Sequence, residues 1–248
     1  MKKLIIALVA LIPTLGMAAG GGAPTMKAPI DLSDKASLQN GAKLFMNYCF
    51  GCHDTRYQRY NRVARDIGIT DEQMLENMVF TGVKVGDLMY NSTTDEQGAK
   101  WFGQTPPDLT MITRVKGTDF VYTYLKSFYV DPERPFGVNN SVFKDVGMPH
   151  VLQNLQGVPT AEFTTDADGN KVLVKDENGL AIFSTDGSGE MSDDEYDNAV
   201  RDITNFLTYS AEPTKLERQS IGVWVLVFLG FFFVLSYFLK KEYWRDVH

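Results

Sequence analysis

Cysteine and histidine are scarce in this chain of 248 residues, which has two of the first and three of the second. A structural zinc site needs four ligands, usually a second Cys/His pair at similar spacing. The cysteines are Cys49 and Cys52, and two of the histidines, His150 and His248, stand alone far along the chain, so no such set can be assembled. No segment repeats at a fixed period. Positive charge is the minority sign, with 24 Lys and Arg against 31 Asp and Glu and a formal net charge of −7. That balance speaks against nucleic acid and for basic or neutral protein partners. Charge of either sign is missing from residues 221–239, nineteen positions in a row.

The scarce residues stand together. Cys49-Phe50-Gly51-Cys52-His53 is C-x-x-C-H, the attachment sequence of a c-type haem. Two thiols can add across the haem vinyl groups, and the histidine that follows at once can ligate the iron from one face. The motif occurs once, so the expected cofactor is one covalently attached haem c. A thioredoxin-like redox pair would follow a strand in a βαβ unit. Here Leu38, Ala42, Phe45 and Met46 give the preceding stretch helical spacing instead. With both cysteines attached to haem, none is left for a disulfide.

Two apolar runs set the address. Residues 1–19 combine Lys2-Lys3, an apolar stretch from Leu4 and the small residues Ala18-Ala19, the make-up of a secretory signal peptide. Export fits the chemistry, because haem is attached covalently outside the bacterial cytoplasm. The second run, residues 221–239, lies between Arg218 and Lys240-Lys241. At ~1.5 Å rise per residue it spans about 28 Å, close to the hydrocarbon thickness of a bilayer. A buried core helix would need polar positions, and this run has little beyond Ser236 and Tyr237. Tyr237, Tyr243 and Trp244 suit an interfacial belt, while Lys240, Lys241 and Arg245 assign the tail to the cytoplasm. The expected layout is a signal peptide at 1–19 and a haem domain at 20–218 on the periplasmic side of a bacterial inner membrane. A transmembrane helix at 219–240 and a cytoplasmic tail at 241–248 complete it.

The exported body reads as helical. Residues 33–48 form an opening helix that ends at the motif, with Gly41 and Phe45 on one face. Thr70-Asp71-Glu72-Gln73 is a capping box, opening a helix with Met74, Leu75, Met78 and Val79 inward and a stop at Gly82. Residues 118–130 carry Val121, Leu125 and Phe128 at helical spacing. Ser192-Asp193-Asp194-Glu195 caps a helix with Tyr196, Val200, Ile203 and Leu207 on one stripe. Ahead of it, Asp168-Gly169-Asn170 and Glu177-Asn178-Gly179 are turns around Lys171-Val172-Leu173-Val174-Lys175, predicting a small antiparallel ribbon. Residues 83–104 and 131–146 read as long loops, where binding surfaces commonly lie. The expected fold class is all-α, a class I cytochrome c-like domain with long loops, a small antiparallel β insertion and one C-terminal transmembrane helix.

His53 fills one axial position, and the other decides between carrier and catalyst. A methionine thioether raises the reduction potential, whereas an open position admits small ligands. Met46, Met74 and Met78 sit on inner helix faces, where core packing accounts for them. Met148 lies in Gly147-Met148-Pro149, where glycine lets the backbone approach a macrocycle and proline stiffens the loop. Met148 is therefore the expected ligand, with His150, another methionine or an open site as the alternatives. Haem propionates need donors. Arg114, shortly after Pro106-Pro107-Asp108-Leu109, is the first candidate, with Tyr57, Arg62 and Lys116 behind it. A solvated surface charge is the competing explanation for each.

The order of these features resembles the cytochrome c1 family. The matching residues are Cys49 to His53 with Arg56-Tyr57 and Arg59-Tyr60-Asn61-Arg62 after them, and Pro106-Pro107-Asp108-Leu109-Thr110 followed by Arg114. Gly147-Met148-Pro149 and Phe206-Leu207-Thr208-Tyr209-Ser210-Ala211-Glu212-Pro213 before the anchor complete the set. The resemblance implies the haem subunit of a quinol:cytochrome c reductase (cytochrome bc1) complex. Such a subunit relays single electrons from a Rieske iron–sulfur protein to a soluble or tethered cytochrome c, coupled to proton translocation. Cytochrome b and the Rieske protein would be its partners, in a dimeric complex. By the matching motifs Cys49 and Cys52 hold the haem, with His53 and Met148 as axial ligands, and no catalytic residue or isolated enzyme activity is expected. Residues 63–100 are shorter than in mitochondrial relatives, and Lys116 stands where many relatives carry arginine. The competing readings are a peroxidase-type enzyme with a displaceable sixth ligand, and a tethered cytochrome serving a terminal oxidase or another reductase.

Overall fold

The computed structural model describes residues 23–246, and the leader expected at 1–19 lies outside them. Asp34 caps α1 (Lys35–Tyr48) by accepting from the Ser37 amide, and the helix runs into the cysteine motif. Strand β1 (Thr55–Arg59) leaves the motif and turns into α2 (Tyr60–Ile67). A capping box of Thr70 and Gln73 opens α3 (Asp71–Met78). Strand β2 (Leu88–Met89) pairs antiparallel with β1, and a second capping box, Thr94 with Gln97, opens α4 (Asp95–Phe102). Two short helices follow, α5 (Ile112–Lys116) and α6 (Thr118–Lys126). The hairpin of β3 (Phe128–Val130) and β4 (Val138–Asn140) comes next, then the single turn α7 (Gln153–Gln156). Four short strands make the inserted ribbon: β5 (Pro159–Ala161), β6 (Phe163–Thr165), β7 (Lys171–Leu173) and β8 (Phe183–Thr185). β5 pairs antiparallel with β8 and β6 with β7. The capping box of Ser192 and Glu195 opens α8 (Asp193–Ala211), and α9 (Lys215–Tyr243) closes the chain.

The core is built where α1 crosses α8. Gly41 makes the crossing close: a Cβ there would lie 1.9 Å from the Asp202 carbonyl oxygen. Beside it the rings of Phe45 and Phe206 pack with centroids 5.4 Å apart, a contact worth about 0.5–1.5 kcal/mol beyond its buried area. The Asp202 side chain is buried here and needs partners. It has them in Ser37 Oγ at 2.6 Å, Asn40 Nδ2 at 2.8 Å and Arg201 Nη2 at 2.9 Å. Helices α5 and α6 cover another side of α8. Thr113 Oγ1 donates to the Leu207 carbonyl at 3.3 Å, and the Tyr196 hydroxyl to that of Leu125 at 3.0 Å. Residues 202–211 of α8 are buried without a break, so this helix is the post against which the haem motif is set.

The mainly helical architecture, the inserted ribbon and the capped helices agree with the sequence expectations, with these differences. Residues 128–130, expected to extend a helix from 118, form β3, because the aromatic and β-branched Phe128-Tyr129-Val130 pairs with Val138–Asn140. Leu75 is exposed rather than inward, although Met74 and Met78 are buried as expected, and the helix ends at Met78 with Val79 as its half-buried cap, short of the stop expected at Gly82. Residues 83–104 are not simply loop, since they contain β2 and α4. Likewise β4 interrupts the loop expected over 131–146. At the C-terminus α9 has 29 residues, its most apolar stretch of 18 has a mean hydropathy of 2.4, and none of that stretch is buried against the protein. Among the described residues it is the one helix long and apolar enough to cross a membrane.

Candidate haem-binding site

The cysteine motif closes as a tight turn off the end of α1. The Cys49 carbonyl accepts from the amides of both Cys52, at 3.1 Å, and His53, at 2.9 Å, while the Phe50 amide reaches back to Phe45 at 2.9 Å. Neither cysteine is in a disulfide; Cys49 is buried and Cys52 half-buried. Burial pushes the Cys49 thiol up to about 12, with the charge of Cys52 adding to it, and burial raises Cys52 as well. A reactive dithiol needs surroundings that stabilise the thiolate, and these do the reverse.

His53 is buried, and its Nδ1 donates to the Pro107 carbonyl at 2.7 Å. That bond fixes the tautomer and leaves Nε2 with its lone pair free for a metal. Burial lowers the imidazole pKa, against the Pro107 bond and the charges of Asp54 and Asp108, so the ring is held neutral, the ligating form. Pro107 is itself held in place. The Leu109 amide donates to the Asp54 carbonyl at 2.8 Å, the Arg56 amide to Asp108 Oδ2 at 2.8 Å, and the Arg56 guanidinium to Asp54 at 2.9 Å.

Two neighbouring clefts share His53, Gln104, Gly147 and Met148 as wall residues. The larger has a cavity volume of about 270 Å³ and includes Cys49; the smaller has about 60 Å³ and includes Cys52. Ile112, Leu125, Ile203 and Leu207 make the larger one apolar. One cysteine of the pair in each cleft, with a nitrogen and a sulfur donor on the walls of both, is a set of side chains that could hold a c-type haem. The residues present therefore fit that group.

Met148 reaches this position on a loop held by tertiary contacts. Asp145 has φ 61°, the left-handed region. Its amide donates to Asn139 Oδ1 at 2.9 Å, and Arg134 donates to its carbonyl at 2.7 Å and its carboxylate at 3.2 Å. Val146 is buried with Phe128 and Val138 in a small core of its own, against which Met148 and Tyr124 pack. The Tyr124 hydroxyl donates to Met148 Sδ at 3.5 Å.

The rival ligands lie elsewhere. His150 is buried with its ring stacked on Phe128, centroids 4.9 Å apart, and its Nε2 meets Gln156 Oε1 at 2.8 Å. Met46, Met74 and Met78 are in the main core. Among the described residues Met148 is the methionine on the cleft walls. Of the cations, Lys116 lines the larger cleft, whereas Arg114 is 55% exposed and 3.5 Å from Glu212. Arg62 pairs with Asp66, and Tyr57 is 75% exposed. Pro107, Tyr124 and Arg134, which hydrogen-bond to His53, to Met148 and to the loop before Met148, were not singled out for these contacts by the sequence reading. The Pro106-Pro107 dipeptide was a signal for the first, but nothing local marks the other two.

The family model described as the Cytochrome C1 family matches residues 25–247. The chain belongs to the cytochrome c1 family. A cytochrome c1 of Allochromatium vinosum is 53% identical over 250 residues, covering the whole of both chains. The ammonia monooxygenase gamma subunit of Nitrosomonas europaea is 41% identical over 248 residues, covering 100% of this chain and 99% of that one. A cytochrome c1 of Rhodobacter capsulatus is 23% identical over 282 residues, covering 98% and 97%. Members of the cytochrome c1 family carry one covalently attached haem c and pass electrons as the haem subunit of the cytochrome bc1 complex, with cytochrome b and the Rieske protein. The apolar α9 matches the membrane anchor of the bacterial members.

Proposed function

We propose that Cys49 and Cys52 hold the haem c and that His53 and Met148 ligate its iron from opposite faces. The observation that carries this reading is the presence of His53 and Met148 on the walls of both clefts, with one cysteine in each. When bound, such a haem cycles between ferric and ferrous states, taking up and giving up one electron at a time. The Pro107 carbonyl fixes the direction of His53 Nε2, and the Met148 thioether favours the reduced form. The apolar walls would limit water around the haem, and His53 and Met148 together would leave its iron no open position for a small ligand. Lys116, on the wall of the larger cleft, would be the cation to meet a propionate, while Arg114, the first candidate by sequence, stands two residues back and engages Glu212.

In this reading a soluble or tethered cytochrome c takes the electron away from the haem domain, and the assembled complex is dimeric. The domain, residues 20–218, is a class I cytochrome c-like unit on the periplasmic side of a bacterial inner membrane. It follows a cleaved leader at 1–19 and precedes a transmembrane helix at 219–240 and a cytoplasmic tail at 241–248. Lys240, Lys241 and Arg245 past the apolar run support that orientation. The name of the Nitrosomonas relative keeps a second reading in play, a tethered carrier that serves a different oxidoreductase. Mild-detergent purification from native membranes, with haem staining and subunit identification, separates the two. Recovery with a dihaem cytochrome b and a Rieske protein supports the bc1 role; recovery with oxidase or monooxygenase subunits supports the other.

A further inference from the structure

Tyr124 is a half-buried phenol fixed by other aromatic rings. It stacks on Phe120, centroids 6.0 Å apart at 23°, and meets Phe128 edge-on at 5.2 Å and Phe143 at 6.3 Å. Its backbone carbonyl is held by Asn140 Nδ2 at 2.8 Å. With the ring and backbone both constrained, the hydroxyl has one direction to point. Among the described residues its hydrogen-bond partner is Met148 Sδ at 3.5 Å. A thioether is a weak acceptor, so a half-buried phenol directed at one is an arrangement in search of a purpose.

We propose that Tyr124 tunes the reduction potential of the relay by donating a hydrogen bond to the Met148 sulfur. The inference rests on Met148 being the axial ligand. A thioether sulfur has two lone pairs, one for the iron and one for the phenol. Donation to the second draws density from the sulfur and weakens it as a donor to ferric iron. Ferric iron depends on that density more than ferrous iron does, so the bond raises the potential. Hydrogen bonding around an axial ligand is one of the levers by which a protein sets such a potential.

The test is Tyr124→Phe in the full-length, haem-loaded protein, read by redox titration and by the sulfur-to-iron charge-transfer band of the ferric form. The expected result is a lowered potential with the band retained. An unchanged potential overturns the proposal. So does loss of the band with haem still attached, which would make the hydroxyl a holder of the loop. Phe128→Leu removes a ring against Tyr124 and leaves the hydroxyl; a shift as large as that of Tyr124→Phe would assign the effect to packing and overturn the tuning role. Met148→Leu separates the two levels. A band that survives it contradicts the ligand assignment itself, whereas a band lost there with a silent Tyr124→Phe contradicts this inference alone.

Discussion

The two sides of the candidate haem site are made in different ways. On the histidine side, five consecutive residues wind off the end of α1, and Cys49 and Phe50 belong to the main core where α1 crosses α8. On the methionine side, the ligand sits on a loop that leans on the satellite core of Phe128, Val138 and Val146. Its shape comes from Arg134, Asn139 and Tyr124, up to 24 residues away in the chain. A local turn on a large core is stiff by construction, while a loop on a small core depends on each of a few polar contacts. In the proposed reading the attachment motif and His53 thus rest on the large core, while Met148 rests on the part that is easier to adjust.

Breaking the histidine side at its base should have the largest effect. Gly41→Val puts side-chain atoms into the Asp202 backbone, an overpacking cost of about 3 kcal/mol, and haem-stained gels should show little loaded protein. Met148→Leu should leave the covalent haem in place and lower the potential by on the order of 0.1 V, part of the roughly 0.8 V that axial ligation spans. An unchanged potential in a redox titration would move the ligand elsewhere. Arg134→Ala should loosen the loop by about 1 kcal/mol, seen as roughly fivefold easier displacement of Met148 by imidazole, with the attachment intact. Smallest of all, Asp145→Asn should shift stability by less than about 0.5 kcal/mol, because asparagine also accepts the left-handed region. Asp145→Ala should cost about 1 kcal/mol more in thermal unfolding, since alanine does not.

The same division decides how much could be read from the sequence. Cys49, Cys52 and His53 are a contiguous motif, and the helix before them shows its period, so the histidine side was legible at once. Met148 was legible only through its flanking Gly147 and Pro149, which describe a loop and not its anchors. Arg134 and Tyr124 carry no local mark; they matter because the β3–β4 hairpin and α6 bring them to the loop. Local signals also misled by being used unevenly. Thr94-Asp95-Glu96-Gln97 repeats the capping tetrapeptide of Thr70 to Gln73, yet its segment was read as part of a long loop. Gly98 is buried there because a Cβ would lie 2.6 Å from Pro106 Cδ, a tertiary demand that propensity cannot see. Arg114 and Lys116 posed the matching difficulty among the cations. On α5 they face different ways, Lys116 to the cleft with Ile112 one turn before it and Arg114 to Glu212.

The most direct test of the account is the charge-transfer band between methionine sulfur and ferric haem iron, recorded for the wild-type protein and for Met148→Leu. The account predicts the band in the first and its loss in the second, with the haem still bound through Cys49 and Cys52. A band that persists in Met148→Leu, or that is missing from the wild type, would contradict the pairing of His53 with Met148 on which the rest depends.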